Sequence, residues 1–410
     1  MKSRYLAGAA VAALVVTSVP ALAQDIKVGL LVDFTGPTSD VGKVYGQGVA
    51  DAMNHINKTG GVAGKKLDFE MVDYSYKAPD AIATYKKWVD AKVTAIQGWG
   101  TADTEALVQS VAKDQIPYYS ASYSGHLTDP TGKGPKGSKA APYNFFYGPS
   151  YSDSCRALVQ WAASDAKKKG IAQPKFVHMG DNHPYPNAPK AACADYAKEL
   201  GFQVSDPIQY SLKPGDFKAQ CLTLKESGAN YAFLANTGGS TISLLKSCET
   251  VGVNTQFLAN VWGMDENAMK AAGESADGVV FAVGAADWKS DAPGMKLVRE
   301  VSKVSDPSGN AYRAVHYMRG ICSAYYMKDA MEAAAKAGGI TGPNIKAAME
   351  KMKDHVPAGL EGVCIPSTWT PEDHRGTTKV FLYQAQTKGQ QAIAKVGEAD
   401  VPRKPEWLGW

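Results

Sequence analysis

The sequence carries no Cys-x-x-Cys pair, no block of basic residues and no Gly-x-Ser-x-Gly elbow. Each absence removes a class of function. Without paired cysteines or a histidine and carboxylate cluster at ligand spacing, neither a zinc site nor thiol redox chemistry is expected. Without a basic block, a nucleic-acid partner is not expected. Without the elbow, and with no base evident beside the hydroxyl-rich "SASYS", there is no serine-hydrolase signature. "GWGTAD" has two glycines of the dinucleotide pattern and lacks the third, so no cofactor is expected. Beyond the first two dozen residues no apolar run approaches the ~18 residues that a membrane span needs.

What is present begins with an export leader. Lys2 and Arg4 precede the apolar run "YLAGAAVAALVVTSVP", and Ala21-Leu22-Ala23 supplies the small residues that a signal peptidase reads. Residues 1–23 are expected to be a cleaved signal peptide, leaving a secreted, periplasmic chain with no membrane insertion. No cysteine follows the cut, so no lipid anchor is expected there. The formal charge of +4 falls by two when Lys2 and Arg4 are removed. An exported chain with six cysteines, Cys155, Cys193, Cys221, Cys248, Cys322 and Cys364, reads as disulfide-bonded. Six cysteines allow 15 pairings. The expectation is that sequence neighbours pair, Cys155–Cys193, Cys221–Cys248 and Cys322–Cys364, each joining adjacent elements.

The apolar pattern alternates between strand and helix almost throughout. "DIKVGLLVDF" reads as a buried strand. "KVYGQGVADAMNHIN" follows with Val49, Met53 and Ile56 at helical spacing, closed by Gly60-Gly61. "KKLDFEMVDY", "VTAIQGW" and "IPYYSASY" read as strands, separated by the helices "PDAIATYKKWVDA" and "DTEALVQSVAKD". A Gly/Pro-rich loop and "YNFFYGPSY" interrupt the series. It resumes with strands "PKFVHMGD", "FQVSDPIQY", "NYAFLANT", "TQFLANVW" and "GVVFAVGA", each flanked by helical segments. Long helical stretches and a closing strand "TTKVFLYQAQ" follow. The aromatic and methionine stripe "YMRGICSAYYM" reads as core, and no reading attaches to the tail beyond packing against a lobe. This pattern predicts parallel sheets covered by helices on both faces. The length exceeds one ordinary core, so the fold class expected is α/β with two parallel-sheet lobes.

In open parallel sheets ligands bind beyond the carboxyl ends of the strands. The turns there, "GWGTADT", "SASYS", "GDNHPY", "NTGGST" and "NVWGMD", are rich in hydroxyls, amides and aromatics and poor in charge. Gly98 and Gly100 permit close backbone approach, and Thr101 is a reasonable helix cap. The terminus of that helix fits either a carboxylate site or a plain cap, with Asp103 and Glu105 complementing the dipole. A helix terminus supplies roughly 0.3–1 kcal/mol, whereas micromolar binding needs about 8 kcal/mol. A second surface must close over the ligand. Burying ~150 Å² of apolar ligand surface adds about 4 kcal/mol at ~25 cal/mol/Å². Two hinged lobes supply that enclosure. His178 reads as a core or hydrogen-bonded residue, and His183 is placed to touch a ligand.

"IKVGLLVDFTGPTSDVGKVYGQGVADAMNHINKTGGVAGKKLDFEMVDY" closely resembles the start of branched-chain amino-acid-type periplasmic binding proteins, the type I solute-binding proteins of ABC importers. "TQFLANVWGMDENAMKAAGESADGVV" and "WTPEDHRGTTKVFLY" are similar to later landmarks of that family. The resemblance implies two Rossmann-like lobes, 24–147 with 282–372 and 148–281 with 373–410, joined by crossings near 147–150, 278–284 and 366–378. It implies a monomer that encloses a small carboxylate-type ligand and delivers it to the permease subunits of an ABC importer. Family positions that hold an amino acid's carboxylate fall on Thr101, the Ser122 backbone and Ser124, with Trp99 and Gly100 in the same turn. A tyrosine of the second lobe falls on Tyr185, and a strand-end turn brings Asn236 and Thr237 to the cleft.

One departure bears on the ligand. Amino-acid-binding members have an acid after the strand equivalent to "QFLANVW", where it pairs with the ligand ammonium. Here that place holds Val261 or Trp262, and the nearest acids are Asp265 and Glu266. A buried ammonium without a partner is costly. Trp99, Tyr123 and Trp262 point instead to a flat ligand: an aromatic carboxylate, an amide or a urea-like compound. These aromatics fit ordinary packing as well. An exported enzyme, or a ligand sensor partnering a receptor kinase, would use the same cleft.

Overall fold

A computed structural model describes residues 24–134, 138–389 and 392–407. The expected leader and residues 408–410 of the tail lie outside the described residues.

The first sheet is built from β1 (Ile26–Val32), β2 (Leu67–Asp73), β3 (Ala95–Gln97), β4 (Tyr118–Tyr119) and β5 (Asn144–Phe145). Its order is β2-β1-β3-β4-β5, all parallel. The connections are α1 (Ser39–Lys58), α2 (Ala78–Asp90) and α3 (Thr101–Asp114). The helical periodicity of α1 holds: Val49, Met53 and Ile56 are buried. Pro79 stands in the first turn of α2, where its missing N–H costs nothing. The expected strand "IPYYSASY" is confined to β4, because from Ser120 onward the chain turns into the space between the sheets.

The second sheet follows α4 (Tyr151–Lys168). It contains β6 (Lys175–Gly180), β7 (Gln203–Val204), β8 (Ile208–Gln209), β9 (Tyr231–Leu234), β10 (Gln256–Ala259) and β11 (Val280–Val283), reached after α5 (Pro184–Asn187), α6 (Lys190–Glu199), α7 (Lys218–Ser227), α8 (Gly238–Thr250) and α9 (Glu266–Ala272). The one strand expected over "FQVSDPIQY" is split into β7 and β8, both paired with β6. Pro207 lies between them and has no N–H to give a ladder.

The chain then returns to the first lobe as α10 (Met295–Ser302), α11 (Val315–Lys336) and α12 (Gly342–Met349), and α11 packs along α1. It comes back as β12 (Lys379–Gln386) and β13 (Ala392–Asp400), both antiparallel additions, giving the order β13-β12-β11-β10-β9-β6-β7. The closing strand was expected; β13 was not, since its alternation is weak and it is only half-buried on either face.

Three passages join the lobes: after β5, after β11 and before β12. They run side by side. Ser367 Oγ donates to the Tyr147 carbonyl at 2.9 Å and Trp369 Nε1 to the Phe146 carbonyl at 2.9 Å. Ala285 bridges Cys364, and Phe146 bridges Arg375. The second passage, expected near 278–284, overlaps β11, and the expected division at 281/282 falls inside that strand. The cysteines pair as sequence neighbours: Cys155–Cys193 ties α4 to α6, Cys221–Cys248 ties α7 to α8, and Cys322–Cys364 ties α11 to the third passage. The tail docks on α4, with the Arg156 guanidinium 3.6 Å over the Trp407 ring.

Candidate functional site

The turn after β3 is organised by a carboxylate. Gly100, not Thr101, stands at the cap position of α3, and Thr101 is its first helical residue. Asp103 is fully buried. It accepts hydrogen bonds from the backbone N–H of Trp99 at 3.0 Å and of Gly100 at 2.7 Å, from the Tyr74 hydroxyl at 2.6 Å, and from the Tyr118 hydroxyl. Burial pushes its carboxyl up, and these donors pull it back. The protein's own anion therefore caps this end of α3. What α3 offers the cleft is the Thr101 hydroxyl.

That hydroxyl heads a buried chain. Thr101 Oγ1 lies 2.7 Å from Ser122 Oγ, which donates to Ser124 Oγ at 3.2 Å. The three residues expected around a carboxylate are thus brought together. Tyr76 covers the turn from the side, where a Cβ on Gly100 would come within 2.3 Å of its ring. Ser75 and Tyr76 both have positive φ, 51° and 59°. Two consecutive non-glycine residues in that region cost energy, and such strain concentrates at ligand clamps.

The second lobe meets this surface with aromatic rings. Trp262, in the turn after β10, packs edge-on against Trp99 at 4.9 Å and against Tyr45 of α1 at 5.7 Å, and stacks on Tyr123 at 5.8 Å. Its Nε1 donates to the Tyr151 hydroxyl at 3.1 Å. Tyr185 packs on Tyr151, and its hydroxyl is 3.1 Å from Asn260 Oδ1. Thr237 stands at the cap position of α8, where its buried hydroxyl makes no capping hydrogen bond and faces Asp40. Asn236 is spent on the loop: it accepts from the Asp181 N–H and donates to the Tyr210 and Ser211 carbonyls. His183 caps α5 and packs across the gap on Tyr76. His178 is buried in the core, and burial lowers its pKa to about 3.

The lobes are closed on one another. A cavity of about 10 Å³ remains between Trp99, Gly100, Tyr185, Thr237 and Trp262, the room of about one water. A wider groove of about 490 Å³ opens at the cleft mouth, between Thr35, Asp40 and Lys77 on one side and Lys213 and Gly239 on the other. Two reciprocal contacts span the closed cleft. Asp40 of α1 accepts from the Gly239 N–H at the start of α8, at 2.6 Å. Glu266 of α9 accepts from the Val315 N–H at the start of α11, at 3.0 Å. Each carboxylate of one lobe serves a helix N-terminus of the other.

Residues 25–390 match the family described as periplasmic binding protein. The chain belongs to that family. Among curated relatives, the Leu/Ile/Val-binding protein homolog 4 of Brucella abortus is 23% identical over 262 residues, 61% of this chain and 60% of that relative, so this chain spans less than two thirds of its length. An ABC transporter substrate-binding protein from Aeropyrum pernix has a solved structure with a TM-score of 0.81 and 26% identity, covering 94% of this chain and 98% of that one. A solute-binding protein from Rhodopseudomonas palustris BisB5, solved in complex with 3,4-dihydroxy benzoic acid, gives a TM-score of 0.75 at 17% identity, covering 93% and 99% of the two chains; the likeness there is one of fold.

In this periplasmic binding protein the sequence reading missed Tyr45, Tyr76, Tyr151 and Arg319. The last had a signal: a lone cation inside the apolar stripe "YMRGIC". The acids near Trp262 are also informative. Asp265 caps α9 by accepting from the Ala268 N–H. Burial pushes its carboxyl up to about 6, and burial with the neighbouring Asp265 charge pushes Glu266 to about 7. A raised carboxyl pKa stabilises the fold while the group keeps its proton. That contribution is complete below the unfolded values, near 4, and is lost as pH rises through about 6 to 7. Glu266→Gln keeps the acceptor for Val315 and removes the titration. We expect the stability lost between pH 5 and pH 8 to shrink by up to about 3 kcal/mol in this variant, read by urea unfolding at each pH; an unchanged difference contradicts the assignment.

Proposed function

We propose that the protein is the periplasmic solute-binding component of an ABC importer, exported by residues 1–23, acting as a monomer and as a receptor rather than an enzyme. The observation that carries the reading is the convergence, from both lobes, of Trp99, Thr101, Ser122 and Ser124 with Tyr185, Thr237 and Trp262 in one closed cleft. Thr101, Ser122 and Ser124 supply hydroxyls to a polar group of the ligand, and Trp99, Tyr123 and Trp262 supply the flat walls. Neither surface binds a small molecule tightly alone; enclosure between them removes water from the apolar part and strengthens each polar contact. The closed form then presents one rigid surface to the permease.

The ligand is a small carboxylate. A leucine-like ligand also needs an acid for its ammonium, and the candidates are engaged: Asp265 with Ala268 and Glu266 with Val315. An aromatic carboxylate makes no such demand.

The experiment is a thermal-unfolding screen with amino acids, aromatic acids, amides and urea, with product analysis of every hit. The expected result is a ligand that raises Tm and is recovered unchanged. Thr101→Ala with Ser124→Ala should weaken that ligand tenfold or more, about 1.4 kcal/mol, in titration calorimetry without lowering Tm of the free protein by more than a few degrees. Conversion of the compound, or a screen with no hit, overturns the receptor reading.

A further inference from the structure

Arg319 of α11 is fully buried, yet most of its hydrogen-bonding capacity is unused. Nη1 donates to the Val261 carbonyl of the opposite lobe at 3.0 Å and to His316 Nδ1 at 3.1 Å. Because a guanidinium only donates, Nδ1 accepts and the His316 proton sits on Nε2, 3.7 Å from Asp265 Oδ2. Nε and Nη2 make no well-aligned hydrogen bond, although the Tyr123 hydroxyl faces the guanidinium, and among the described residues no carboxylate lies within 4.0 Å of the guanidinium. Nε and Nη2 form one edge, the pair of parallel N–H bonds that grips a carboxylate from the side. Leaving that edge buried and unpaired is costly.

The surroundings fit an anionic guest. The hydroxyls of Tyr45, Tyr123 and Tyr147 are also buried and make no well-aligned hydrogen bond, with Ser323 beside that of Tyr45 and the other two beside each other. Gly284, in the second passage between the lobes, packs beside Nε: a Cβ there would lie 3.3 Å from it. The guanidinium lies 3.5 Å over the Trp262 ring and 4.9 Å from that of Tyr123, beside the flat walls of the cleft. When the lobes part, Val261 and Trp262 leave with the second lobe and Arg319 stays on α11.

We propose that Arg319 is the charged anchor of the cleft, its Nε–Nη2 edge taking the carboxylate of a planar aromatic acid whose ring lies against Trp262 and Tyr123. The inference rests on the receptor reading and names its ligand class. It explains why the acid that would pair an ammonium is replaced by an aromatic turn: the cleft already holds a cation, and a second one would be repelled.

The test compares benzoate, 4-hydroxybenzoate, benzamide and L-leucine by thermal shift and calorimetry on the full mature chain. The wild-type protein should bind an aromatic acid about 100-fold tighter than benzamide, the difference of a charge-assisted, two-point contact. Arg319→Gln should lose that preference, binding the acid about 100-fold weaker while benzamide changes less than about threefold; circular dichroism checks its fold. The wild-type comparison decides the matter if the variant does not fold. Equal affinity for benzoate and benzamide, or an acid preference that survives Arg319→Gln, overturns the anchor. Binding of leucine or benzamide without either acid overturns the anchor and leaves the receptor standing. No shift by any of the four overturns the anchor, and a wider screen that also gives no hit overturns both.

Discussion

Asp103→Ala is expected to cost about 3–5 kcal/mol of stability, the range for removing one member of a buried, fully hydrogen-bonded charge network. The carboxylate is a hub. It holds the Trp99 and Gly100 backbone N–H groups, and so the entry of α3. It also holds the Tyr74 hydroxyl, from the end of β2, and the Tyr118 hydroxyl, from β4. Truncation leaves four donors without an acceptor in a space closed to water, and each unsatisfied group costs roughly 1–3 kcal/mol before relaxation. Asp103→Asn should be little better, because the amide nitrogen would face donors. Urea unfolding followed by tryptophan fluorescence measures the loss, and Trp99 lies at the site. A loss under about 1 kcal/mol would mean that the four donors find other acceptors.

Gly320→Val should be comparably severe, at about 3 kcal/mol or more, beyond the usual range for overpacking because the obstruction is backbone. Helices α1 and α11 touch backbone to backbone. A Cβ on Gly320 would come within 2.3 Å of the Tyr45 carbonyl oxygen, and one on Gly48 within 2.2 Å of the Tyr317 carbonyl oxygen. Helix axes ordinarily stay 8–10 Å apart because side chains intervene; here the contact depends on their absence. Forcing the pair apart also displaces Tyr45, on one helix, from Arg319, on the other, so ligand affinity should fall along with Tm. Gly48→Val acts from the opposite helix and should not add fully, since both substitutions force apart the same contact. A Tm within a degree or two of wild type would show that the pair can separate freely.

Much of the architecture was legible. The apolar alternation of "KVGLLV" and the spacing of Val49, Met53 and Ile56 report local burial, and local burial is what periodicity records. The cysteines paired as neighbours because each pair joins segments that the fold brings close over a short reach of chain. Boundaries were legible only where a turn residue stood in the sequence. Strand β4 is two residues long because the remainder of "YYSASY" is drawn into the cleft, and β13 has no buried face strong enough to mark it.

The cleft was legible in part. Thr101, Ser122 and Ser124 lie at strand ends, where topology places ligand groups. Thr101 was assigned the capping role that Asp103 performs, since from sequence an Asp in the first turn looks like a solvated dipole partner. Arg319 was hidden within a stripe that reads as core, and it is core; its meaning lies in the unpaired edge, which no spacing along α11 discloses.

By itself the sequence determined the order of strands and helices, the α/β class and the pairing of neighbouring cysteines, because these follow from the burial of each segment and from short reaches of chain. Only the tertiary structure decided that Tyr45 and Arg319 pack against Tyr123 and Trp262. Those residues come from four distant segments, and they meet because the chain crosses three times between two sheets. The guanidinium there, facing a carbonyl, a ring and hydroxyls but no carboxylate among the described residues, is a property of that meeting.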